Sequence, residues 1–278
     1  LALSGGVLVL SGLVFKVSAV PFHMWTPDVY QGAPTPVTAL FAIVPKVAAF
    51  GLIIRLLTGP FAGLHTEATQ ILVFVAVASM VVGGFAGLVQ NNIKRLLAYS
   101  SIANMGYAML GLLSGTADGV AAVIIYLTIY MVMVAGVFAV LMSVRRSGEA
   151  LEHIPDFAGL SKTSPFMAYA LTAFLFSMSG IPPLAGFFGK LFVFQAAVNG
   201  GFMVVAVIGV LTSVVAAYYY LRVIKVMFFD ESAGEVEVNA SLSRHFVAVG
   251  ALTFVIVFTF LPNQLLHRAI EAASSLFS

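Results

Sequence analysis

Three lysines stand where the surrounding residues leave little room for charge. Lys16 lies near the end of an apolar run, just before Pro21. Lys46 sits at the middle of the next apolar run, and Lys190 follows the segment Gly180-Ile181-Pro182-Pro183-Leu184-Ala185-Gly186. A charged side chain at the centre of a membrane helix costs about 2.5–3.5 kcal/mol on insertion scales, so such residues mark ion or proton pathways. All eleven Asp and Glu residues fall in expected loops, at span ends or in the tail, so no carboxylate within the spans can pair with the lysines. Two physical outcomes remain. Burial makes the ammonium form costly and lets these lysines lose and regain a proton, or a carboxylate reaches them from outside this sequence. The bland alternative is that each lysine snorkels to an interface; it is weakest for Lys46, which is about 16 Å of helical rise from either end of its run.

His23 follows the first proline break directly. It is a candidate relay between Lys16 and Lys46, because imidazole changes charge near neutral pH; capping a broken helix is the equal alternative. Asp28, set between prolines, reads as a turn or cap residue. Lys94 and Arg95 read as anchors at a membrane edge, and Glu152 and Asp156 as solvated loop residues. Tyr99, Ser100, Ser101 and Asn104 fit either a water path or hydrogen bonds between helices. Tyr218-Tyr219-Tyr220 reads as an aromatic belt. His65, His153, His245 and His267 are scattered without metal-ligand spacing.

The elements that must hold these residues are membrane helices. The sequence has 278 residues, of which 61% are hydrophobic and only 9% charged, with no cysteine; its mean hydropathy is +1.06. Soluble domains carry about 25% charged residues, so this composition reads as an integral membrane protein. Without cysteine, the sequence supplies neither disulfides nor thiolate ligands for iron–sulfur clusters or metals. No nucleotide-binding glycine loop or nucleophile–base set is present.

The expectation is an all-α, polytopic bundle of about eight spans forming one transmembrane domain over 1–278, with a short amphipathic tail at 263–278. The spans fall near 1–20, 36–57, 69–89, 96–113, 119–144, 165–198, 201–224 and 245–262. As one helix, 165–198 would be about 51 Å long against a hydrocarbon core of about 30 Å, so the Pro182-Pro183 segment must break it. The proline-spaced stretch after Lys16 reads as a second break and a rigid, polar connector. Five spans separate the breaks, which predicts opposite directions through the membrane and an inverted repeat. Alternating spans put Lys94, Arg95, Arg145, Arg146, Lys162, Arg222, Lys225 and Arg244 on one side, leaving Arg55 and Arg268 on the other; the positive-inside rule makes the first side cytoplasmic.

The stretch from Lys16 through Pro21-Phe22-His23-Met24-Trp25-Thr26-Pro27-Asp28-Val29-Tyr30-Gln31-Gly32 to Pro36 resembles the antiporter-like subunit N family of respiratory complex I. So do Asn92–Ile102 and Gly180–Lys190. Sister subunits and cation/proton antiporters share the architecture but differ around Trp25–Tyr30. The resemblance implies proton translocation through Lys16, Lys46 and Lys190, with Lys16 as half of a pair whose glutamate lies on an earlier helix. It implies that this chain binds no cofactor, and that NADH, FMN, iron–sulfur clusters and a quinone are handled by other subunits. Expected partners are the antiporter-like subunit M and small K-, J- and A-type membrane subunits, in the bacterial inner membrane. The start at Leu1, inside an apolar run, gives the expectation that earlier helices belong to the protein. A stand-alone cation/proton antiporter is the alternative.

Overall fold

The computed structural model describes residues 2–232 and 234–277, apart from the side chains of Ala2, Leu3 and His65; Leu1 lies outside it. The helices are α1 (Ala2–Lys16), α2 (Trp25–Gly32), α3 (Thr35–Thr58), α4 (His65–Gly87), α5 (Ile93–Leu110), α6 (Ala117–Leu141), α7 (Leu160–Thr163), α8 (Pro165–Ser179), α9 (Ala185–Asn199), α10 (Met203–Phe229), α11 (Leu242–Phe260) and α12 (Asn263–Ser274). Among the described residues, α3, α4, α6, α10 and α11 are long and apolar enough to cross a membrane unaided. The other expected spans are of two kinds. The runs holding the breaks divide into short helices, α1 with α2 and α8 with α9, and α5 is shorter and polar along one face. Large apolar side chains such as Phe74, Leu211 and Val214 are exposed, as lipid-facing surfaces require.

The helix ends are set by local chemistry. The side chains of Asn92, Thr116 and Ser241 accept backbone N–H groups of Arg95, Gly119 and Arg244, capping α5, α6 and α11. Inside, α4 and α5 pack closely at Gly83, where an added Cβ would stand 2.5 Å from the Ala103 nitrogen.

The basic end is stitched together. Strand β1 (Val144–Arg146) pairs antiparallel with β2 (Glu149–Ala150) and β3 (Glu237–Val238), in the order β2-β1-β3. Ile93 N–H donates to the Glu152 carbonyl and Ile154 N–H to that of Asn91, both at 2.8 Å. Arg222 donates to the carbonyls of Leu88 and Gln90, and Arg244 to that of Met142. These arginines cap the carbonyls of other turns as well as marking a membrane edge.

The sequence reading is corrected or sharpened in four places. The proline-spaced segment after the first break is largely helical, as α2, because Pro27 sits in a first turn where its missing N–H costs nothing. It ends where Ala33, in extended geometry, precedes Pro34. Lys94 is buried and ion-pairs at 2.8 Å with Glu152, so it is more than an edge anchor, while the Glu152 side chain stays 45% exposed, as a solvated loop residue would. Asp28 holds Arg95 at 2.6 Å. Tyr219 and Tyr220 are buried, and only Tyr218 keeps an exposed, belt-like position.

The two interrupted runs point in opposite directions. α1 starts beside Phe61 and Leu64 at the end opposite the arginines, and α2 finishes where Lys94 donates to the Ala33 carbonyl at 3.2 Å. α8 starts at the basic end after α7, and α9 finishes at Gly200, beside Ser114 at the other end.

Candidate functional site

One face of α5 carries Ser100, Ser101, Asn104 and Tyr107, a spacing of i, i+1, i+4 and i+7 that aligns them along the helix. All four are buried. Around them, one to three polar residues converge from each of four other apolar helices. α6 supplies Tyr126 and Tyr130, α10 supplies Thr212, Ser213 and Tyr220, α3 supplies Lys46 and α9 supplies Lys190.

At the end of this face nearer the arginines, the Lys46 ammonium donates to Ser101 Oγ. Ser101 in turn shares a 2.6 Å hydrogen bond with the Tyr130 hydroxyl. The Tyr30 ring of α2 lies under the ammonium, 5.4 Å from Nζ to centroid. Lys46 is 1% exposed. Directly before it, Pro45 lies inside α3 and withholds the N–H that would bond the Phe41 carbonyl. At the middle, Ser100 Oγ and the Tyr220 hydroxyl are 2.5 Å apart. Asn104 Nδ2 donates to the Ser100 carbonyl at 2.8 Å, and the Tyr126 hydroxyl donates to Asn104 Oδ1 at 2.7 Å.

At the far end, the Tyr107 hydroxyl meets Thr212 Oγ1 at 3.4 Å. Lys190 Nζ donates to Ser213 Oγ at 2.7 Å and to the Ser179 carbonyl at 3.0 Å, and stands 4.9 Å from the Tyr107 ring centre. Ser179 is the last residue of α8, so the ammonium sits at the negative end of that helix dipole. Gly180 makes this approach: its φ is +85°, and a Cβ there would be 3.0 Å from Lys190 Cδ.

Lys46 and Lys190 are therefore brought to one polar face. Lys16 and His23 are not. Lys16 is exposed on the last turn of α1, and His23 is half-buried in the turn before α2. Among the described residues, no hydrogen bond joins either of them to Lys46. His23 Nδ1 and the hydroxyls of Ser18 and Thr26 are buried without a hydrogen-bond partner around this first break, whereas the Tyr30 side chain reaches away from it to the Lys46 cluster. Tyr99 is only half-buried and stands off the polar face.

The sequence reading missed Tyr126, Tyr130, Thr212, Ser213 and Tyr220. The one available signal was spacing: Tyr126 and Tyr130 stand at i and i+4, and Thr212 and Tyr220 at i and i+8, each pair sharing a face of an otherwise apolar helix.

A helical membrane bundle with two interrupted helices and buried lysines on a shared polar face is the architecture of ion-translocating membrane proteins. The chain belongs to the NADH:quinone oxidoreductase/Mrp antiporter transmembrane family, whose profile matches residues 1–216. It is 52% identical over 274 residues to NADH-quinone oxidoreductase subunit N of Rhodospirillum rubrum, covering 99% of this chain and 56% of that protein. A chain of respiratory complex I from Thermus thermophilus with bound aureothin superposes with a TM-score of 0.82 at 36% identity, over 95% of this chain and 58% of that one. A chain of the Mrp complex from Dietzia shares the fold, with a TM-score of 0.86 at 22% identity over 98% of this chain and 59% of that one. The chain thus spans a little over half the length of the relatives it matches.

Proposed function

We propose that the protein is a membrane subunit of a proton-pumping NADH:quinone oxidoreductase, and that Lys46, the polar face of α5 and Lys190 form its proton-conducting axis. The observation that carries this reading is the run of hydroxyls, amide and phenols between two buried ammonium groups. Hydroxyls donate and accept at once, so a proton can be handed along them. Direct hydrogen bonds do not join Ser101 to Ser100, Asn104 to Tyr107, or the Tyr107–Thr212 pair to Ser213, and bridging water belongs at those three steps.

Lys16 takes part from the edge of the chain, facing a group contributed from outside these residues, and His23 with the unpartnered hydroxyls near it is the candidate link from Lys16 toward Lys46. The chain itself holds no redox group in this reading. NADH, FMN, iron–sulfur clusters and quinone are handled by other subunits, and the neighbours are antiporter-like subunit M and the small K-, J- and A-type subunits of a bacterial inner membrane.

The test is Lys46→Ala and Lys16→Ala in the assembled complex, measured as proton uptake into vesicles driven by NADH oxidation. Both variants are expected to lower pumping and coupled quinone reduction with assembly intact; normal pumping in both overturns the proposal. Cation/proton exchange by the full-length protein alone in liposomes would instead favour the antiporter reading.

A further inference from the structure

Away from the polar axis, α3 and α11 each pack against α6 and leave a groove of about 350 Å³ between them. Its floor is Ala135 and Ala139 of α6, and its walls include Leu40 and Val44 of α3 and Val247 of α11. The three wall residues are exposed, at 54%, 54% and 42%. At the basic end, the groove opens into a second hollow of about 310 Å³ that shares Pro36, Met142 and Arg244 with it and adds Thr35 and Arg145.

Chemistry therefore changes along one continuous surface, from hydrocarbon to two guanidinium groups. Arg244 donates to the Met142 carbonyl and, from Nε, to Ser241 Oγ at 3.0 Å; Arg145 donates to the Gly148 carbonyl at 2.9 Å. Among the described residues, neither arginine is ion-paired with a carboxylate. Glu237, which stands opposite Arg145 in the strand register, forms no ion pair with it. An arginine has five donors suited to a phosphate, so both keep capacity for an anion.

We propose that this groove binds one anionic glycerophospholipid from the leaflet at the basic end. Its phosphate lies on Arg145 and Arg244, and one acyl chain runs past Leu40, Val44 and Val247. Charge argues for a lipid over a helix: the apolar groove ends at two guanidinium groups with donors to spare, which match a phosphate, whereas the apolar face of a packed helix has nothing to offer them. The proposal requires that the chain lies in a membrane and that the groove faces lipid in the full-length protein, and does not depend on the lysine relay.

The test uses the full-length protein in its membrane complex, reconstituted in nanodiscs with a phosphatidylglycerol that carries a diazirine in its acyl chain, or with the matching phosphatidylcholine. Crosslinks are mapped by mass spectrometry. Groove peptides containing Leu40, Val44 and Val247 are expected to be labelled about fivefold or more by the anionic lipid over the zwitterionic one, the scale of basic-residue attraction to an anionic headgroup. R145Q/R244Q should erase that preference, and A139W should block labelling by both lipids while leaving the arginines in place. Equal labelling by the two lipids in the wild type, an unlabelled groove, or crosslinks tying the groove to another protein helix would each overturn the assignment. The wild-type comparison decides it even if a variant fails to assemble.

Discussion

The chain interrupts a helix twice, and the two interruptions hold their lysines differently. At the first, Lys16 ends α1 before the break and its side chain is exposed. At the second, Lys190 starts beyond the break, on α9, and reaches back to the final carbonyl of α8. Each break turns through a residue with positive φ: Ser18 at +65° and Gly180 at +85°. Glycine takes that conformation freely, whereas a residue with a Cβ gives up about 1–2 kcal/mol. The second break is thus a finished socket for one ammonium group. The first is a strained turn with unpartnered hydroxyls and a lysine directed outward. Two similar sequence signals, a lysine beside a proline break, lead to two different local environments.

The contrast can be broken most directly through the lysines. Lys190→Met should slow proton transfer on the order of 100-fold, the scale of losing a positioned acid–base group. Lys190→Arg should not rescue it, because Ser179, Ser213 and the Tyr107 ring are spaced for an ammonium, whereas Lys16→Arg should keep most of the activity. NADH-driven proton uptake in vesicles reads this, and equal tolerance of arginine at both positions would erase the distinction.

Next in size is Gly180→Ala, which meets both the backbone cost and the Lys190 side chain. It should destabilise the protein by about 1–2 kcal/mol and lower pumping in parallel, read by thermal unfolding and the same vesicle assay. An unchanged melting curve would show that the socket does not need its glycine. The smallest effect belongs to Ser18→Gly, which should stabilise by no more than about 1 kcal/mol, because relief of the turn is partly offset by the entropy of glycine. A loss of stability there would mean that the Ser18 hydroxyl matters more than its backbone.

Much of this was legible in the sequence, for identifiable reasons. Charge in an apolar run is rare enough to single out Lys46 and Lys190, and Pro182-Pro183 cannot continue a helix. The helix α2 was hidden because four prolines and a glycine within 21–36 read locally as turns. It forms because its buried face, with Thr26 and Tyr30, packs against α5 and α3, which is tertiary information. The Lys94–Glu152 pair joins residues 58 apart, a separation no local pattern reports. Tyr219 and Tyr220 sit near a span end, where an aromatic belt was the natural reading, and only the course of α10 past α5 brings Tyr220 to Ser100. The polar axis is announced by α5, which carries four of its residues, but the rest come one to three at a time from α3, α6, α9 and α10, so those helices give little sign of it.

The tilt of that axis has an electrical consequence. Lys46 meets α5 at Ser101, and Lys190 lies beside Tyr107, six residues farther along. At helical rise this is about 9 Å, nearly a third of the hydrocarbon thickness. A charge moving between the two levels therefore crosses a comparable share of the transmembrane voltage, worth about 0.7 kcal/mol for each 100 mV. In the proposed relay the lysines stand on different rungs of the field, so membrane potential itself would bias which of the two holds the proton.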